Sequence, residues 1–190
     1  MRVEPSKPRY TVRTEAGAVT FGCPPRRNWF VLLFLIAWLG GWTVAGLTTF
    51  REVMRPGDHQ AFLSFWLVGW AVGELCVLAV VAWQLAGLEE LSVVRGDLIH
   101  RVSIAGVGRS REFTGTEVRH LRTTQPLLSA WLDGRSFSPP LFGSGYGAIA
   151  FDYGARTYRI GAGLDEAEAQ QIVASLSKQL PRMVESAPAR

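Results

Sequence analysis

FLIAWLGGWTVAGL (Phe34–Leu47) and FLSFWLVGWAVGEL (Phe62–Leu75) are two copies of one apolar sequence, identical at eight of fourteen positions without a gap. The shared residues include Trp38 and Trp66, Gly41 and Gly69, and Trp42 and Trp70. Each copy lies inside a longer apolar run. Trp29 to Phe50 gives 22 residues without a charge, and Ala61 to Leu88 gives 28 with one, Glu74. A hydrocarbon core about 30 Å thick takes about 20 such residues to cross. Both runs are therefore read as transmembrane helices, about 29–50 and 61–88, forming a hairpin across 29–88. The excess length of the second is expected to go into tilt or into a helix that continues past the membrane. Some 28 mainly polar residues precede the first run, so a cleaved signal peptide is not expected.

The cations set the expected orientation. Arg2, Lys7, Arg9, Arg13, Arg26 and Arg27 precede the first helix against Glu4 and Glu15. The ten-residue loop between the helices balances Arg51 and Arg55 with Glu52 and Asp58. Positively charged flanks stay in the cytoplasm. Two crossings then return the chain, so both termini are expected there, in a multi-pass protein of an inner membrane. The net charge of +4 mostly reflects this flank; the lipid bilayer, not nucleic acid, is the partner it implies. Cys23 and Cys76 are the only cysteines, and a disulfide between them is not expected in a reducing compartment. No spacing of Cys and His suggests a metal site or a cofactor.

Because the chain reverses between the copies, the same local sequence runs antiparallel, which makes an inverted repeat. Trp38 and Trp42 share one helical face, as do Trp66 and Trp70. Gly41 and Gly69 precede the second tryptophan of each pair, and Gly69 with Gly73 forms a small-xxx-small pattern common at membrane helix contacts. Trp38 and Trp42 lie near mid-depth, where an indole N–H needs a partner. Two readings follow. One is a packed hairpin whose indoles bond carbonyls, Thr43 or Ser64; the other is an aromatic face for another subunit, or for a quinone, pigment or lipid.

Glu74 departs from the repeat, since its counterpart is Gly46. A carboxyl near the bilayer centre costs several kcal/mol unless it is neutral, paired or wetted. Neither span holds a Lys or Arg to pair with it. A structural hydrogen bond, within the chain or between subunits, is the first reading; a proton-relay or ligand-anchoring carboxyl is the alternative.

Beyond the second span the hydrophobic period falls to two. LSVVR, Gly96-Asp97 and LIHRVSI read as a hairpin, REFTG and TEVRHLRTT as shorter strands, and GAIAFDY, Gly154-Ala155 and RTYRIG as a second hairpin. A helix of about 165–180 follows, opened by Asp165 and Glu168 as a capping box, apolar at Ile172, Val173, Leu176 and Leu180, and stopped by Pro181. Residues 89–190 thus have an α+β outline. RYTVR and AVTFG within residues 1–28 read as a further hairpin able to join that sheet.

The succession ending in GAIAFDYGARTYRIG and LDEAEAQQIVASL, with GLEELSVVRGDLIHR directly after the last membrane helix, resembles bacterial pleckstrin-homology-like (PH-like) domains that accompany two or three transmembrane helices. The resemblance covers about 100 residues. It implies a partly open β-barrel closed at one end by the C-terminal helix, which binds proteins or lipids and has no catalytic residues. The chain departs from that pattern at 126–146. This insert carries Trp131, Phe137, Leu141, Phe142 and Tyr146, and long aromatic loops in compact domains are often functional. Docking a partner, dipping into headgroups and folding over its own core are the three readings of Trp131, Phe137 and Phe142. Arg26 and Arg27, with Arg95 and Arg101, are candidate lipid-headgroup contacts; a solvated surface is the plain alternative.

His59, His100 and His120 are scattered, with no nucleophile or carboxylate at an informative spacing, and a lone strand histidine is expected at the surface. No enzyme is expected. The sequence reads best as a non-enzymatic integral-membrane scaffold or accessory subunit that binds a membrane or cytoplasmic protein, with self-association as a further form of partnership. The alternative is a small-ligand or proton-handling membrane protein centred on Glu74 and the tryptophans.

Overall fold

The computed structural model describes residues 8–15, 18–55, 60–124 and 147–180. They form two compact units: Arg27–Leu85, and the two flanking stretches folded together.

The first unit is two helices, α1 (Trp29–Val53) and α2 (Gln60–Ala86), both long and apolar enough to cross a membrane. Asn28 caps α1, its side-chain oxygen accepting from the Val31 N–H at 3.2 Å. Arg27 serves the far end of the partner helix. Its guanidinium donates to the Gln84 and Leu85 carbonyls at 3.2 and 3.0 Å, two of the acceptors that a helix C-terminus leaves without partners. Leu32, Leu39 and Val81 form the contact between the helices, flanked by Leu35 and Val77. Only 11% and 6% of the most apolar windows of α1 and α2 are buried. The core helix of a water-soluble domain would show the opposite.

Both helices depart from the expected boundaries. α1 runs on through Arg51 and Glu52 to Val53, because charged residues are good helix formers and only apolarity, not helicity, ends at Phe50. α2 stops at Ala86 instead of Leu88. Gly87 and Leu88 already belong to a strand, paired with Ile104 and Ser103.

The second unit is built on an antiparallel sheet of β1 (Thr11–Glu15), β2 (Ala18–Cys23), β3 (Gly87–Val94), β4 (Asp97–Ile104) and β5 (Val107–Phe113), in that spatial order. A second sheet holds β6 (Val118–Thr123), β7 (Ile149–Tyr153) and β8 (Arg156–Ile160). The connection from β2 to β3 is the whole helix pair, yet the two strands are neighbours, with Cys23 opposite Glu89 and Val19 opposite Val93. Tight two-residue turns join β3 to β4 and β4 to β5. Arg95-Gly96 and Ala105-Gly106 all have positive φ, the pattern whose twist matches that of hairpin strands.

Strand alternation decides what is inside. On β3, Glu89, Leu91 and Val93 are buried while their neighbours are partly open. The five-stranded sheet contributes Phe21, Leu91, Leu98 and Phe113 to a core with Ile149, Phe151 and Ile160 of the smaller sheet. Helix α3 (Glu166–Gln179) adds Ala169, Ile172 and Leu176, each fully buried. Its start is the expected capping box. Asp165 accepts from the Glu168 N–H at 2.8 Å and Glu168 accepts from the Asp165 N–H at 3.0 Å.

Candidate functional site

In the helix pair, polar chemistry gathers at mid-length. Thr43 is the fifteenth of 25 residues in α1, and Glu74 the fifteenth of 27 in α2. At 1.5 Å per residue each lies about 15–21 Å from either end of its helix. Trp42 and Trp70 stack there with ring centroids 4.1 Å apart and planes inclined by 28°. Their hydrogen bonds are reciprocal. Trp42 Nε1 donates to the Trp70 carbonyl at 3.3 Å, and Trp70 Nε1 donates to the Trp42 carbonyl at 3.2 Å. Each indole is thus satisfied by the other's backbone, and neither needs Thr43 or Ser64.

Small residues make room for this pair, at Gly73 of the expected glycines and at Gly46, which was not among them. A Cβ on Gly46 would lie 3.0 Å from Trp70 Nε1, and one on Gly73 would lie 3.6 Å from Trp42 Cζ2. A Cβ on Gly41 or Gly69 would meet nothing within 4 Å. Gly41 faces an open apolar groove of about 400 Å³ lined by Ala37, Trp38, Trp42, Ala45 and Trp70. Trp38 and Trp66 stay about half exposed.

Thr43 takes a different role, donating its hydroxyl to Glu74 Oε1. That contact is exposed on the flank of the hairpin. Thr43 is two residues from Gly41, a turn of about 200° around the helix axis, so it faces away from the groove.

In the sheet unit a second polar cluster is buried. Glu89 is 3% exposed. Its Oε1 accepts from the Gly161 N–H at 3.0 Å and contacts His100 Nε2 at 2.8 Å, while its Oε2 accepts from the Ala162 N–H at 3.2 Å. One side chain of β3 thereby holds β4 and the segment after β8. His100 is buried rather than at the surface, because alternation puts it in phase with Leu98 and Val102. Cys23, opposite Glu89, is also buried. Burial first, then the negative charges of Glu89 and Glu168, push its thiol well above the ordinary range. A thiol held protonated is a poor nucleophile.

Glu168 is the other buried carboxylate among the described residues. Burial opposes its charge, but hydrogen bonds from the Arg9 and Asp165 N–H groups and the Arg9 guanidinium outweigh it and lower its pKa. Arg9 donates through its N–H at 2.8 Å and its side chain at 3.2 Å, and Tyr10 adds a bond to Gln171. The residues before β1 are thus fastened to α3.

Neither role was read from the sequence. The signal for Glu89 was its phase, an acid in step with Leu91 and Val93. The signal for Glu168 as an anchor was absent, because Arg9 lies 159 residues away.

The surface cations are partly engaged. Arg101 donates to the Gly106 carbonyl at 3.0 Å and lies 3.8 Å from Glu90. Arg111 stands over the Tyr158 and Phe113 rings, at 5.4 and 5.9 Å. Arg122 binds Asp152 with both terminal nitrogens. These bonds, with a further one from Thr157, bring the Asp152 pKa down to about 2. His120, at φ 51° beside a bulge in β6, completes that cluster through Nδ1 at 3.0 Å. Arg26 is exposed, and Arg95 occupies the β3–β4 turn. Trp131, Phe137, Phe142 and the rest of 126–146, with His59 and Pro181, lie outside the described residues.

Among the described residues no group of three or more His, Cys, Asp and Glu could hold a metal ion. No protein-family model matches the sequence, and no curated protein matches it.

Proposed function

We propose that this chain is a non-enzymatic scaffold or accessory subunit of a bacterial cytoplasmic membrane. In this reading α1 and α2 cross the bilayer as a hairpin with an inverted sequence repeat. The sheet unit is a PH-like, partly open barrel on the cytoplasmic side, and the protein partner is met in the membrane, in the cytoplasm, or in both.

The observation that carries the reading is the pairing of β2 with β3 across the inserted helices. Strands separated by a bilayer cannot share a ladder. If both helices cross, residues on either side of the pair must therefore lie on one side, which is what the basic flank before Trp29 requires of a cytoplasmic unit. The surface of the hairpin supports the rest. Of the large apolar side chains left exposed among the described residues, all but Val12, Val107 and Met54, the C-cap of α1, belong to α1 and α2. Such a concentration marks a membrane or protein contact, not a water-facing surface. The reciprocal bonds of Trp42 and Trp70, 28 residues apart as the two sequence copies are, support the two-fold reading of the repeat. The raised thiol of Cys23 supports a non-catalytic unit.

The groove beside Trp38, Gly41 and Trp42 favours the second reading, a bound quinone, pigment or lipid. Affinity purification at native expression level in mild detergent, read by mass spectrometry for proteins and small molecules together, separates the two. A stoichiometric protein is expected; a lone chain carrying a chromophore or quinone would replace the accessory reading with the ligand reading.

A further inference from the structure

We infer that the Thr43–Glu74 flank of the hairpin receives a transmembrane helix of the partner protein, and that this helix carries a lysine or arginine at mid-depth. The inference rests on the accessory-subunit reading and names what that partner must bring.

The hairpin satisfies most of its mid-depth polar groups by itself. Trp42 and Trp70, the other polar side chains at this depth, close their bonds on each other. Glu74 does not. Among the described residues Thr43 alone donates to it, at Oε1, and the contact lies exposed on the flank. Facing hydrocarbon, a carboxylate costs several kcal/mol unless a cation meets it. Neither helix has a cation to give at this level. The charged residues nearest to this level in α1 are Arg51 and Glu52, eight and nine residues past Thr43, about 12 Å further along the helix. In α2 there is none besides Glu74.

The same count decides against a second copy. An identical hairpin would bring another Glu74, Thr43 and apolar surface, but no positive charge at that level. Charge complementarity therefore selects a different chain. Its cation would reach Oε2 and leave the Thr43 bond intact, so the carboxylate would have a donor on each oxygen. A charge-assisted bond of this kind is stronger than a neutral one and, in hydrocarbon, selective, because neither side chain is tolerated there alone.

The test places a photoreactive amino acid at Leu78, one turn past Glu74 and exposed, in the full chain expressed at native level. Irradiated membranes are analysed for crosslinked polypeptides with and without Glu74→Gln. The expected result is a membrane protein crosslinked through a helix with Lys or Arg within one turn of the contact, with yield falling at least tenfold for Glu74→Gln. Glu74→Lys should abolish the crosslink, and a compensating acid in the partner should restore it, which guards against a variant that merely misfolds. A crosslinked helix without a cation, a crosslink to a second copy, a yield unchanged by Glu74→Gln, or no polypeptide adduct would each overturn the inference. If purification still yields a stoichiometric partner in those cases, the accessory reading stands without it; if no partner is found by either route, both fall.

Discussion

Replacing Glu89 by glutamine should loosen the sheet unit at the segment that leads into α3. The carboxylate is 3% exposed and meets three groups, the N–H groups of Gly161 and Ala162 and the His100 ring. Two of these can only donate, so an amide of the same shape cannot serve all three. With its oxygen toward Gly161 and His100, its NH2 faces the Ala162 N–H. Leaving a buried donor unsatisfied costs about 1–3 kcal/mol, and a bond to a neutral acceptor is weaker than one to a charged acceptor by about 1 kcal/mol. Ala162 N–H is only partly buried, which favours the low end of the first figure. With both remaining bonds, to Gly161 and His100, weakened in this way, the sum is about 3 kcal/mol. Glu89→Ala, which strands all three groups and opens a cavity, should cost about 4–5 kcal/mol. Against a domain stability of about 5–15 kcal/mol, these are large fractions. Denaturant unfolding of the full chain in mild detergent gives the global value. Hydrogen-exchange mass spectrometry should show the Gly161–Leu164 amides exchanging on the order of 100-fold faster in Glu89→Gln, since each 1.4 kcal/mol is a factor of ten. A loss below about 0.5 kcal/mol with unchanged exchange at Gly161 would refute the role given to this carboxylate.

Three further outcomes follow from the geometry. Trp42→Phe and Trp70→Phe should each weaken the hairpin by about 1–2 kcal/mol, from one interhelical bond and part of a stack; denaturant titration in lipid–detergent mixtures should show the two changes as non-additive, and simple additivity would count against one reciprocal unit. Gly46→Ala must displace the Trp70 indole and should cost about 1 kcal/mol in the same titration, whereas Gly73→Ala, Gly41→Ala and Gly69→Ala should stay within about 0.5 kcal/mol. Asp152 has a depressed pKa, so the stability it lends is complete above the unfolded value near 4 and is lost as pH falls toward about 2. Asp152→Asn should therefore flatten the acid limb of the unfolding curve between about pH 4 and 2 and cost no more than about 1 kcal/mol at neutral pH, the pair being largely solvated.

Much of the architecture could be read from local pattern because the forces behind it are local. Length and apolarity identify α1 and α2. The switch to a period of two, with Gly96 and Gly154 at the turns, gives the antiparallel strands, and the Asp165–Glu168 box gives the start of α3. Boundaries were less legible, as at Gly87, where an apolar run continues while the backbone changes from helix to strand. The functional details depended on partners far along the chain. Tryptophans at mid-span signalled a need for acceptors, but which indole bonds which carbonyl is fixed only when α1 meets α2. Gly73 was legible from the small-xxx-small pattern, Gly46 gained its significance only when the helices met, and a Cβ on the more conspicuous Gly41 or Gly69 would meet nothing within 4 Å. Glu89, Glu90 and His100 look alike as surface residues until the strand phase is followed, and Arg9 offers no local hint of Glu168.

A helix pair that crosses the bilayer between two strands of one sheet is the proposal on which the rest depends. Single cysteines at Arg13, Arg55 and Arg119, each introduced with Cys23 and Cys76 replaced by alanine, can be labelled with a membrane-impermeant maleimide in intact cells and in inverted vesicles. Positions 13 and 119 should react only in inverted vesicles, and position 55 only in intact cells. Reaction of 13 and 119 from opposite sides, or of 55 from the same side as both, would contradict it.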